Sequence, residues 1–445
     1  MTRKPASSRS RPAPLDAALR IAIGAHQRGR QGEAERRYRA ILAAAPAHPD
    51  ALHYLGVLLH QLGRRDAALV LIERAVALAP GYVDARNNLG NVQKELGLAA
   101  QAEQSYRAVI AARPGFAPAW NNLGVVLKAQ GRYLDAADAY RHCLALAPGM
   151  ADAWGNLGNA LRAVQDVQAA MSAYYKAIEL APHNIGTDAY RNLGRALVTS
   201  GRHGEALAVY RQWQVHDPED AAIAHLIAAL AGESTPGRAS DGYVQTTFDR
   251  FAGTFDAVLE RLDYRAPALC DALVASLLGT PKADRAVLDA GCGTGLCGPY
   301  LLPYARTLDG VDLSPKMLEK AAARNCYRRL DAFELGAWLA AHPAGYDLIV
   351  SADTLCYFGA LDDVLDAAAT ALRPGGLCVF TLEEMVDATH APQYRLHPHG
   401  RYSHTEAYAR EVIGQAGMTI VEVRHEVLRT ELDMPVAGLA IAARR

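Results

Sequence analysis

The sequence predicts two folds in one chain: an α-solenoid of paired helices, followed by an α/β domain with a doubly wound parallel sheet. In the first half, several residue types recur every 34 residues, and such a fixed period indicates a helical repeat array. From residue 286 onward, short apolar strands alternate with helical segments, a pattern typical of doubly wound sheets. A glycine-rich turn directly after the first of these strands points the same way.

Composition narrows the class of protein. The chain has 445 residues, enough for two or three domains, with 51% hydrophobic and 21% charged residues, as in globular proteins. Its 46 basic and 47 acidic residues nearly balance, so it lacks the strong positive field of a general nucleic-acid binder. No apolar run approaches the roughly 20 residues needed to span a bilayer. We therefore expect neither nucleic acid nor a membrane as partner.

The first residues and the cysteines indicate a compartment. Residues 1–14 are basic and rich in proline and serine, without the apolar core of a secretory signal, which predicts a disordered tail on a cytoplasmic protein. Seven cysteines are scattered without CxxC pairs. This favours reduced thiols over a disulfide framework or a zinc site, and we expect no metal.

Three series of residues keep one register through the first half of the chain. They are the Leu-Gly pairs that start at Leu55, Leu89, Leu123 and Leu157, the alanines Ala34, Ala68, Ala102, Ala136 and Ala170, and the prolines Pro46, Pro80, Pro114, Pro148 and Pro182. Small residues let two helices pack closely, and a proline ends the second helix of a pair. The pattern resembles the tetratricopeptide repeat.

The period also predicts the domain limits. Six copies begin at residues 15, 49, 83, 117, 151 and 187, the last after a two-residue slip at Ile185 and Gly186. Residues 221–232 then read as a closing helix that covers the apolar face of the last repeat. The predicted organisation is a tail at 1–14, a repeat domain at 15–232, a linker at 233–242 and an α/β domain at 243–445.

One face of each first helix carries polar residues in register. At about 100° per residue, positions 4, 7, 8 and 11 of a repeat form the packing face and positions 2, 6, 9 and 13 lie opposite. In the family that the repeats resemble, this opposite face lines a concave groove. The residues there are Asn88, Asn122, Asn156 and Asn192 at position 6, Asn91 and Asn159 at position 9, and Lys94, Lys128 and Arg162 at the flanking position 12.

Two interpretations of these asparagines stay open. A primary amide is both donor and acceptor, so a row of them can pair with the peptide units of an extended chain without reading its side chains. The alternative is that asparagine is inherited from a duplicated consensus and stays solvated. The period alone does not separate a peptide-binding groove from an inherited pattern.

The second half contains the motif with the clearest chemistry. The segment AVLDAGCGTG, residues 286–295, is a buried strand that runs into the turn Gly291-x-Gly293-x-Gly295. The next strand ends in Asp312, about where a carboxylate can accept both hydroxyls of a ribose. These residues, together with later strands at 346–355 and 372–384, resemble the class I S-adenosylmethionine-dependent methyltransferases, which have a Rossmann-like fold. The alternative is a core built around another nucleotide.

The resemblance implies a set of cofactor contacts. Glycines of the turn let the backbone approach the methionine and ribose parts of S-adenosylmethionine, and an acid after the second strand binds the ribose. A helix before the first strand commonly closes over the cofactor in this family, and Tyr243 is our preferred residue for that lid. Carried over by position, the other contacts are Asp289, Gly291, Gly293, Gly295, Asp312, Leu313, Met317 and Asp331.

The acceptor is expected past the carboxyl ends of the strands, where open α/β sheets bind ligands. Asp353, after the fourth strand, faces the transfer site in the family that the domain resembles. Histidine titrates near neutrality and suits a base, and arginine suits a carboxylate. The candidates are Asp353, His399, Arg401, Tyr402 and His404, with His390, Tyr394 and His397 nearby. There are two alternatives to a loop that lines the acceptor site. One is a structurally satisfied loop, and the other is a metal site at His397, His399 and His404.

The whole arrangement resembles predicted bacterial methyltransferases fused to tetratricopeptide repeats. The leading hypothesis is a methyltransferase that uses S-adenosylmethionine to modify a peptide or protein side chain held by the repeats. The alternative is a small-molecule methyltransferase whose repeats dock a partner or drive self-association. A third hypothesis, a scaffold with an idle cofactor fold, fits poorly with the intact glycine turn and Asp312.

Overall fold

The computed structural model describes residues 13–183, 186–232, 235–386, 392–431 and 433–445. The chain forms two compact units, residues 1–196 and 197–445. Most of the predicted tail, part of the predicted linker and His390 lie outside the described residues. The first helix begins at Ala13, two residues inside the predicted tail.

The first unit is built from pairs of antiparallel helices that follow the 34-residue period. Apolar residues of both helices in each pair form its core, among them Leu55, Leu59 and Ile72. The helices are α1 (Ala13–Gln27), α2 (Gln31–Ala44), α3 (Pro49–Gln61), α4 (Arg65–Leu78), α5 (Val83–Glu95), α6 (Ala99–Ala112), α7 (Ala117–Ala129), α8 (Tyr133–Leu146), α9 (Ala151–Ala163), α10 (Val167–Leu180) and α11 (Thr187–Thr199).

The glycine of each Leu-Gly pair marks the closest approach of two helices. A Cβ atom on Gly124 would lie 2.5 Å from Cε1 of Tyr140, and one on Gly90 would lie 2.7 Å from the same atom of Tyr106. Both tyrosines are fully buried. The glycine is therefore required by packing, because the aromatic ring of the second helix occupies the space that any side chain would need.

The second unit begins with helices that the sequence placed in the repeat domain. They are α12 (His203–His216) and α13 (Ala221–Ala231), followed by α14 (Asp241–Phe251), α15 (Phe255–Arg261) and α16 (Ala266–Leu278). The helix α13 lies where a closing helix was expected. Both α12 and α13 fall in the same compact unit as the sheet. The predicted domain boundary at residue 232 stays a prediction.

The sheet of the second unit alternates with shorter helices. Its strands are β1 (Arg285–Ala290), β2 (Ala305–Asp312), β3 (Arg329–Ala332), β4 (Tyr346–Ser351), β5 (Leu372–Glu384), β6 (Tyr394–Leu396), β7 (Tyr402–His404), β8 (Thr419–Glu431) and β9 (Met434–Arg444). The helices are α17 (Gly298–Leu301), α18 (Pro315–Ala323), α19 (Leu335–Ala340), α20 (Asp362–Ala371) and α21 (Glu406–Gln415).

The strand order places a ligand site. Strands β3-β2-β1-β4-β5 are parallel, β9 runs antiparallel beside β5, and β8 pairs with β9. The short β6–β7 hairpin joins the carboxyl end of β5, where Glu383 pairs with Ser403. The chain reverses its direction of travel across the sheet between β1 and β4, and ligands of open α/β sheets bind at such a switch point.

The predicted fold class is confirmed by these two units. A helical repeat array comes first, and a mostly parallel α/β sheet with helices around it follows. Buried residues such as Leu288, Ile349 and Phe380 form the core on one face of the sheet. In the described ranges, no helix combines the length and the apolar character needed to cross a bilayer.

We expect Gly124→Ala to lower the free energy of unfolding of the repeat array by about 1–3 kcal/mol, the usual cost of overpacking. The added methyl group would overlap the ring of Tyr140. Urea unfolding followed by helical ellipticity measures the effect. Gly149→Ala is the matched control, because nothing lies within 4 Å of its Cβ position. Equal stabilities of the two variants would contradict the packing argument.

Candidate cofactor and acceptor site

The turn after β1 is shaped by three glycines in the left-handed region. The φ angles are +75° at Gly291, +53° at Gly293 and +81° at Gly295. Residues with a side chain adopt such values only with strain. A Cβ atom on Gly291 would also lie 2.2 Å from Oγ1 of Thr354, just past the end of β4. The turn is therefore pressed against the neighbouring strand end, and bare backbone faces the switch point.

Asp312, at the end of β2, is tied to this turn. Its Oδ2 accepts a hydrogen bond from the Gly293 amide at 2.9 Å, and its Oδ1 accepts one from the Ser314 amide at 2.8 Å. Burial raises the pKa of Asp312, and these amide donors oppose the rise. Because a carboxylate has about four lone-pair sites, two amide donors leave capacity for the hydroxyls of a ligand.

The other predicted cofactor residues surround Asp312 at different depths. Leu313 is half-buried, whereas Met317 is fully buried in α18, where its amide donates to Oγ of Ser314. Asp331 is half-buried and pairs with Arg329, whose Nη2 donates to its Oδ1 at 3.0 Å. The structure thus leaves Leu313 half-buried and places Met317 in the core.

Asp289 lies at the bottom of the turn and is almost completely buried, with 1% of its surface exposed. The hydroxyl of Tyr327 donates to its Oδ2 at 2.6 Å. Burial raises the pKa of Asp289 to about 7, although the Tyr327 hydrogen bond acts in the opposite direction. Burial therefore favours the neutral form of this carboxyl, and a cationic group placed beside it would favour its charged form.

Two aspartates of α14 and α15 anchor these helices to the loops after β1 and β2. Oδ1 of Asp249 accepts from Oγ of Ser314 at 2.6 Å. Oδ1 of Asp256 accepts from Oγ1 of Thr294 at 2.6 Å, and its Oδ2 pairs with Arg324 at 2.6 Å. No sequence pattern pointed to either aspartate, because their partners come from different loops.

Tyr243, the predicted lid residue, is buried on another side of this segment. Its ring lies 4.2 Å from the ring of His225 in α13. Its hydroxyl lies against Gly400, in the turn between β6 and β7. The structure thus brings Tyr243 to the hairpin, while Phe255 lies beside Gly293. The cofactor contact of Tyr243 stays a prediction.

A buried ionic network occupies the acceptor side, at the carboxyl ends of β4 and β5. Asp353 has a positive φ of 55°, and both of its oxygens accept from Nη1 of Arg429, at 2.9 and 2.7 Å. Arg429, on β8, is only 3% exposed. It also donates to Glu383 through Nη2 and to Glu431 through Nε.

Arg401 completes this network from the β6–β7 turn. Its Nε donates to Oε1 of Glu383 at 2.6 Å, and its Nη2 donates to both oxygens of Glu431 at 2.7 and 2.8 Å. Burial alone would raise the pKa of Glu383, but the guanidinium groups of Arg401 and Arg429 lower it to about 2. All five charges are paired, as buried charges must be, with one more carboxylate than guanidinium.

The sequence candidates of the hairpin divide between its two faces. His399 is exposed beside Arg401, and its ring stacks on His397 at 5.1 Å. Desolvation of the His399 ring by the surrounding protein lowers its pKa, and the charge of Arg401 lowers it further. Tyr402 and His404 are fully buried. The Tyr402 hydroxyl donates to the Pro236 carbonyl at 2.8 Å, and Nε2 of His404 lies 3.1 Å from the Gly359 carbonyl oxygen.

These contacts favour a structural role for Tyr402 and His404 and a site-facing role for His399 and Arg401. The alternative of a three-histidine metal site is not supported in the described part of the chain. There, His397, His399 and His404 do not converge at metal-binding distance. The sequence missed Arg429 and Glu431, because β8 enters the sheet far along the chain from β4 and β5.

The asparagines of the repeat array form hydrogen bonds between successive repeats. Nδ2 of Asn122 donates to Oδ1 of Asn91 at 3.1 Å, and the Tyr106 hydroxyl donates to the same oxygen at 2.8 Å. Asn192 and Tyr174 share Oδ1 of Asn159 in the same way. The described contacts therefore use these amides within the array, which neither interpretation of the sequence anticipated.

The other members of the row follow this pattern less strictly. Nδ2 of Asn156 donates to Oδ1 of Asn121 at 3.3 Å, and Nδ2 of Asn88 lies 2.8 Å from Nε2 of His53. All six predicted asparagines are half-buried. At position 12, Lys94 and Lys128 are half-buried and Arg162 is exposed, and burial lowers the pKa of Lys128.

Comparisons with known proteins identify both parts of the chain. Residues 288–378 match a family model described as a methyltransferase domain. Residues 19–83, 59–124, 117–150 and 149–212 match models described as tetratricopeptide repeats. The chain carries tetratricopeptide repeats and a methyltransferase domain. Both resemblances predicted from the sequence are thereby confirmed.

Two curated relatives and one solved structure illustrate the similarity. Human methyltransferase-like protein 27 is 37% identical over 143 residues, which is 30% of this chain and 55% of that protein. Trans-aconitate 2-methyltransferase of Streptomyces avermitilis is 36% identical over 147 residues, or 31% and 52%. A crystal structure of MamA protein is 23% identical and covers 38% of this chain and 92% of its own, with a TM-score of 0.36. The chain spans about half the length of the two curated relatives.

The methyl donor of such a domain is S-adenosylmethionine, and the residues present fit it. The bare backbone of the glycine turn faces the switch point, and Asp312 has acceptor capacity beyond its two amide partners. Asp289 lies one strand residue before the turn with a titratable carboxyl. These groups match the amino, carboxyl and hydroxyl groups of the donor in hydrogen-bonding character.

The raised pKa of Asp289 predicts a pH dependence of stability. Folding raises this pKa from its ordinary value to about 7, so ionisation disfavours the folded state as the pH rises from about 4 to 7. Asp289→Asn lacks this ionisation. Between pH 4 and pH 8, the unfolding free energy of the variant should therefore rise relative to that of the wild type, by an amount on the order of 4 kcal/mol.

Chemical denaturation at the two pH values measures this gain. The reference is the difference in unfolding free energy between variant and wild type at pH 4, where Asp289 is neutral in the folded protein and only about half-ionised in the unfolded chain, so that most of the ionisation effect develops above this pH. A difference that stays the same at pH 8 would contradict the assignment of a raised pKa.

Proposed function

We propose that the chain is an S-adenosylmethionine-dependent methyltransferase that modifies a side chain of a peptide or protein held along the repeats. The observation that carries the methyltransferase part is the switch-point arrangement of Gly291, Gly293 and Gly295 with Asp312. A cytoplasmic location remains a prediction from the sequence. We propose no nucleic-acid partner.

The chain's own residues would bind the donor and align the acceptor. Bound S-adenosylmethionine supplies a methyl carbon activated by a sulfonium, which an acceptor displaces in line. The glycine turn and Asp312 fix the donor, while Asp249 and Asp256 hold α14 and α15 against the loops that frame it. Most of the rate enhancement expected from such a site comes from alignment.

The need for a base depends on the acceptor. A carboxylate acceptor has no proton to lose, whereas an amine or a hydroxyl must release one. His399 is the best-placed candidate base, because its ring is exposed beside Arg401 and a neutral imidazole nitrogen can accept a proton. Asp353 is engaged by Arg429, which favours a positioning role for that carboxylate.

Two features of the array support a polypeptide acceptor. The asparagine row has one amide at the same position of successive repeats. Hydrogen bonds between repeats hold these amides in fixed places. A surface held rigid before binding loses less entropy when a flexible chain is ordered on it. Lys94, Lys128 and Arg162 run beside the row and favour an extended chain with acidic residues.

A small-molecule acceptor is the second candidate, and a relative favours it. The protein from Streptomyces avermitilis is named for methylating trans-aconitate, an organic acid. In this reading Arg401 would exchange a glutamate partner for the carboxylate of the acceptor, a group that guanidinium binds in two-point fashion. The repeats would then dock a partner or mediate self-association.

We expect Asp312→Ala to weaken S-adenosylmethionine binding about 10- to 100-fold, because a hydrogen bond to a charged group contributes about 1.5–3 kcal/mol. Isothermal titration calorimetry on the full chain measures this. Asp284→Ala removes an exposed carboxylate just before β1 and serves as the control. Equal affinity in both variants, or no heat with the wild type, would refute the proposed cofactor site.

The polypeptide acceptor is tested by replacing Asn88, Asn122 and Asn156 together with alanine. Lysate is incubated with the full chain and methyl-labelled S-adenosylmethionine, and the label in polypeptides is counted. We expect at least about a tenfold drop at unchanged donor affinity, because each amide contact is worth about 1 kcal/mol.

The control for this experiment carries alanine at Gln104, Asp138 and Ser172, which are exposed on the second helices of the same repeats. Thermal melts establish that both triple variants keep their helices. Label that appears only in small molecules would favour the second candidate. Equal labelling by the two triple variants would contradict a role of the asparagine row in binding.

A further inference from the structure

Helix α13 makes a buried polar contact with the turn between β6 and β7. Its His225 is 4% exposed, and Nε2 lies 2.8 Å from the carbonyl oxygen of Gly400, 175 residues further along the chain. A carbonyl only accepts, so Nε2 carries the proton and donates. A buried hydrogen bond of this kind fixes the backbone position of the turn.

The shape of the turn is fitted to this contact. Gly400 has a φ of +90°, and a Cβ atom there would lie 2.4 Å from the hydroxyl of Tyr243 and 3.6 Å from Cδ2 of His225. The two aromatic rings lie against each other. Behind them, Tyr402 donates to the carbonyl of Pro236. The turn thus packs against His225 and Tyr243, two side chains from helices that precede the sheet.

The next residue along the turn reaches the acceptor side. Arg401 follows Gly400 directly, and its guanidinium bonds Glu383 and Glu431 in the buried ionic network. The placement of a side chain depends on the backbone that carries it, and sub-ångström placement matters for alignment of reacting groups. A shift of the Gly400 peptide would therefore be passed to Arg401.

We propose that His225 is a positioning residue for the acceptor side of the methyltransferase domain. By holding the Gly400 carbonyl, it fixes the β6–β7 turn and so sets the Arg401 guanidinium against Glu383 and Glu431. This role rests on the proposed function for its catalytic meaning. It also links α13, which the sequence predicted only as a cap for the repeats, to the turn that carries Arg401.

The test uses His225→Ala and His225→Gln in the full chain, with hydrogen exchange of the 394–404 segment followed by mass spectrometry. The amide of Gly400 donates to the His397 carbonyl at 2.8 Å, so exchange there reports on the turn. Alanine leaves the buried carbonyl unpaired and should speed exchange about tenfold. Glutamine retains a side-chain donor and should stay within about threefold of wild type by the same reasoning.

His342→Ala is the matched control. His342 lies just after α19 and makes a hydrogen bond of the same length to a backbone carbonyl, that of Trp338, four residues earlier in the chain. It should leave exchange in the β6–β7 hairpin unchanged. Exchange in His225→Ala within about twofold of wild type, or exchange in His225→Gln as fast as in the alanine variant, would overturn the proposal, because the donor would then be irrelevant.

A second variant covers the case in which His225→Ala does not fold. Gly400→Ala places a methyl group against the Tyr243 hydroxyl and should speed exchange of the same segment, whereas unchanged exchange would overturn the proposal. Calorimetry with S-adenosylmethionine separates the two proposals. Absence of binding to the wild type would remove the proposed function, while the exchange results still decide whether His225 holds the turn.

Discussion

The acceptor side of the second unit depends on pairing five charges, of which Glu383 and Arg429 are buried and the other three half-buried. Arg429 links the end of β4, through Asp353, to β5 through Glu383, and Arg401 ties the β6–β7 turn to the same glutamate. Loss of one member of a buried pair typically costs about 3–5 kcal/mol, because it leaves an uncompensated charge. The network therefore joins four separate parts of the chain at one place.

The donor side is organised by backbone geometry instead of charge. Its three left-handed glycines and the two amides that bond Asp312 are fixed by local sequence, and α14 and α15 are attached through Asp249 and Asp256. Fixed hydrogen-bonding groups on one side and paired charges on the other leave the switch point between them as the place where donor and acceptor would meet.

Local spacing made much of this predictable from the sequence. The 34-residue period gave the helix pairs, and the turn with Gly291 gave the sheet and the donor side. Contacts between distant segments were out of reach. Arg429 joins the network only because β9 places β8 at the sheet edge. Tyr402 and His404 are buried because of the hairpin register, although the sequence offered them as site candidates together with His399 and Arg401.

The division of the chain within α11 has a practical consequence for protein engineering. Since α12 and α13 belong to the compact unit that contains the sheet, a graft of this methyltransferase domain onto a foreign scaffold must carry both helices as its amino-terminal part. A junction chosen by the repeat period, after residue 232, would leave Gly400 without His225. Repeat arrays are usually treated as interchangeable modules, but here the hydrogen bond between His225 and Gly400 ties the helix after the last repeat to the domain that contains the sheet.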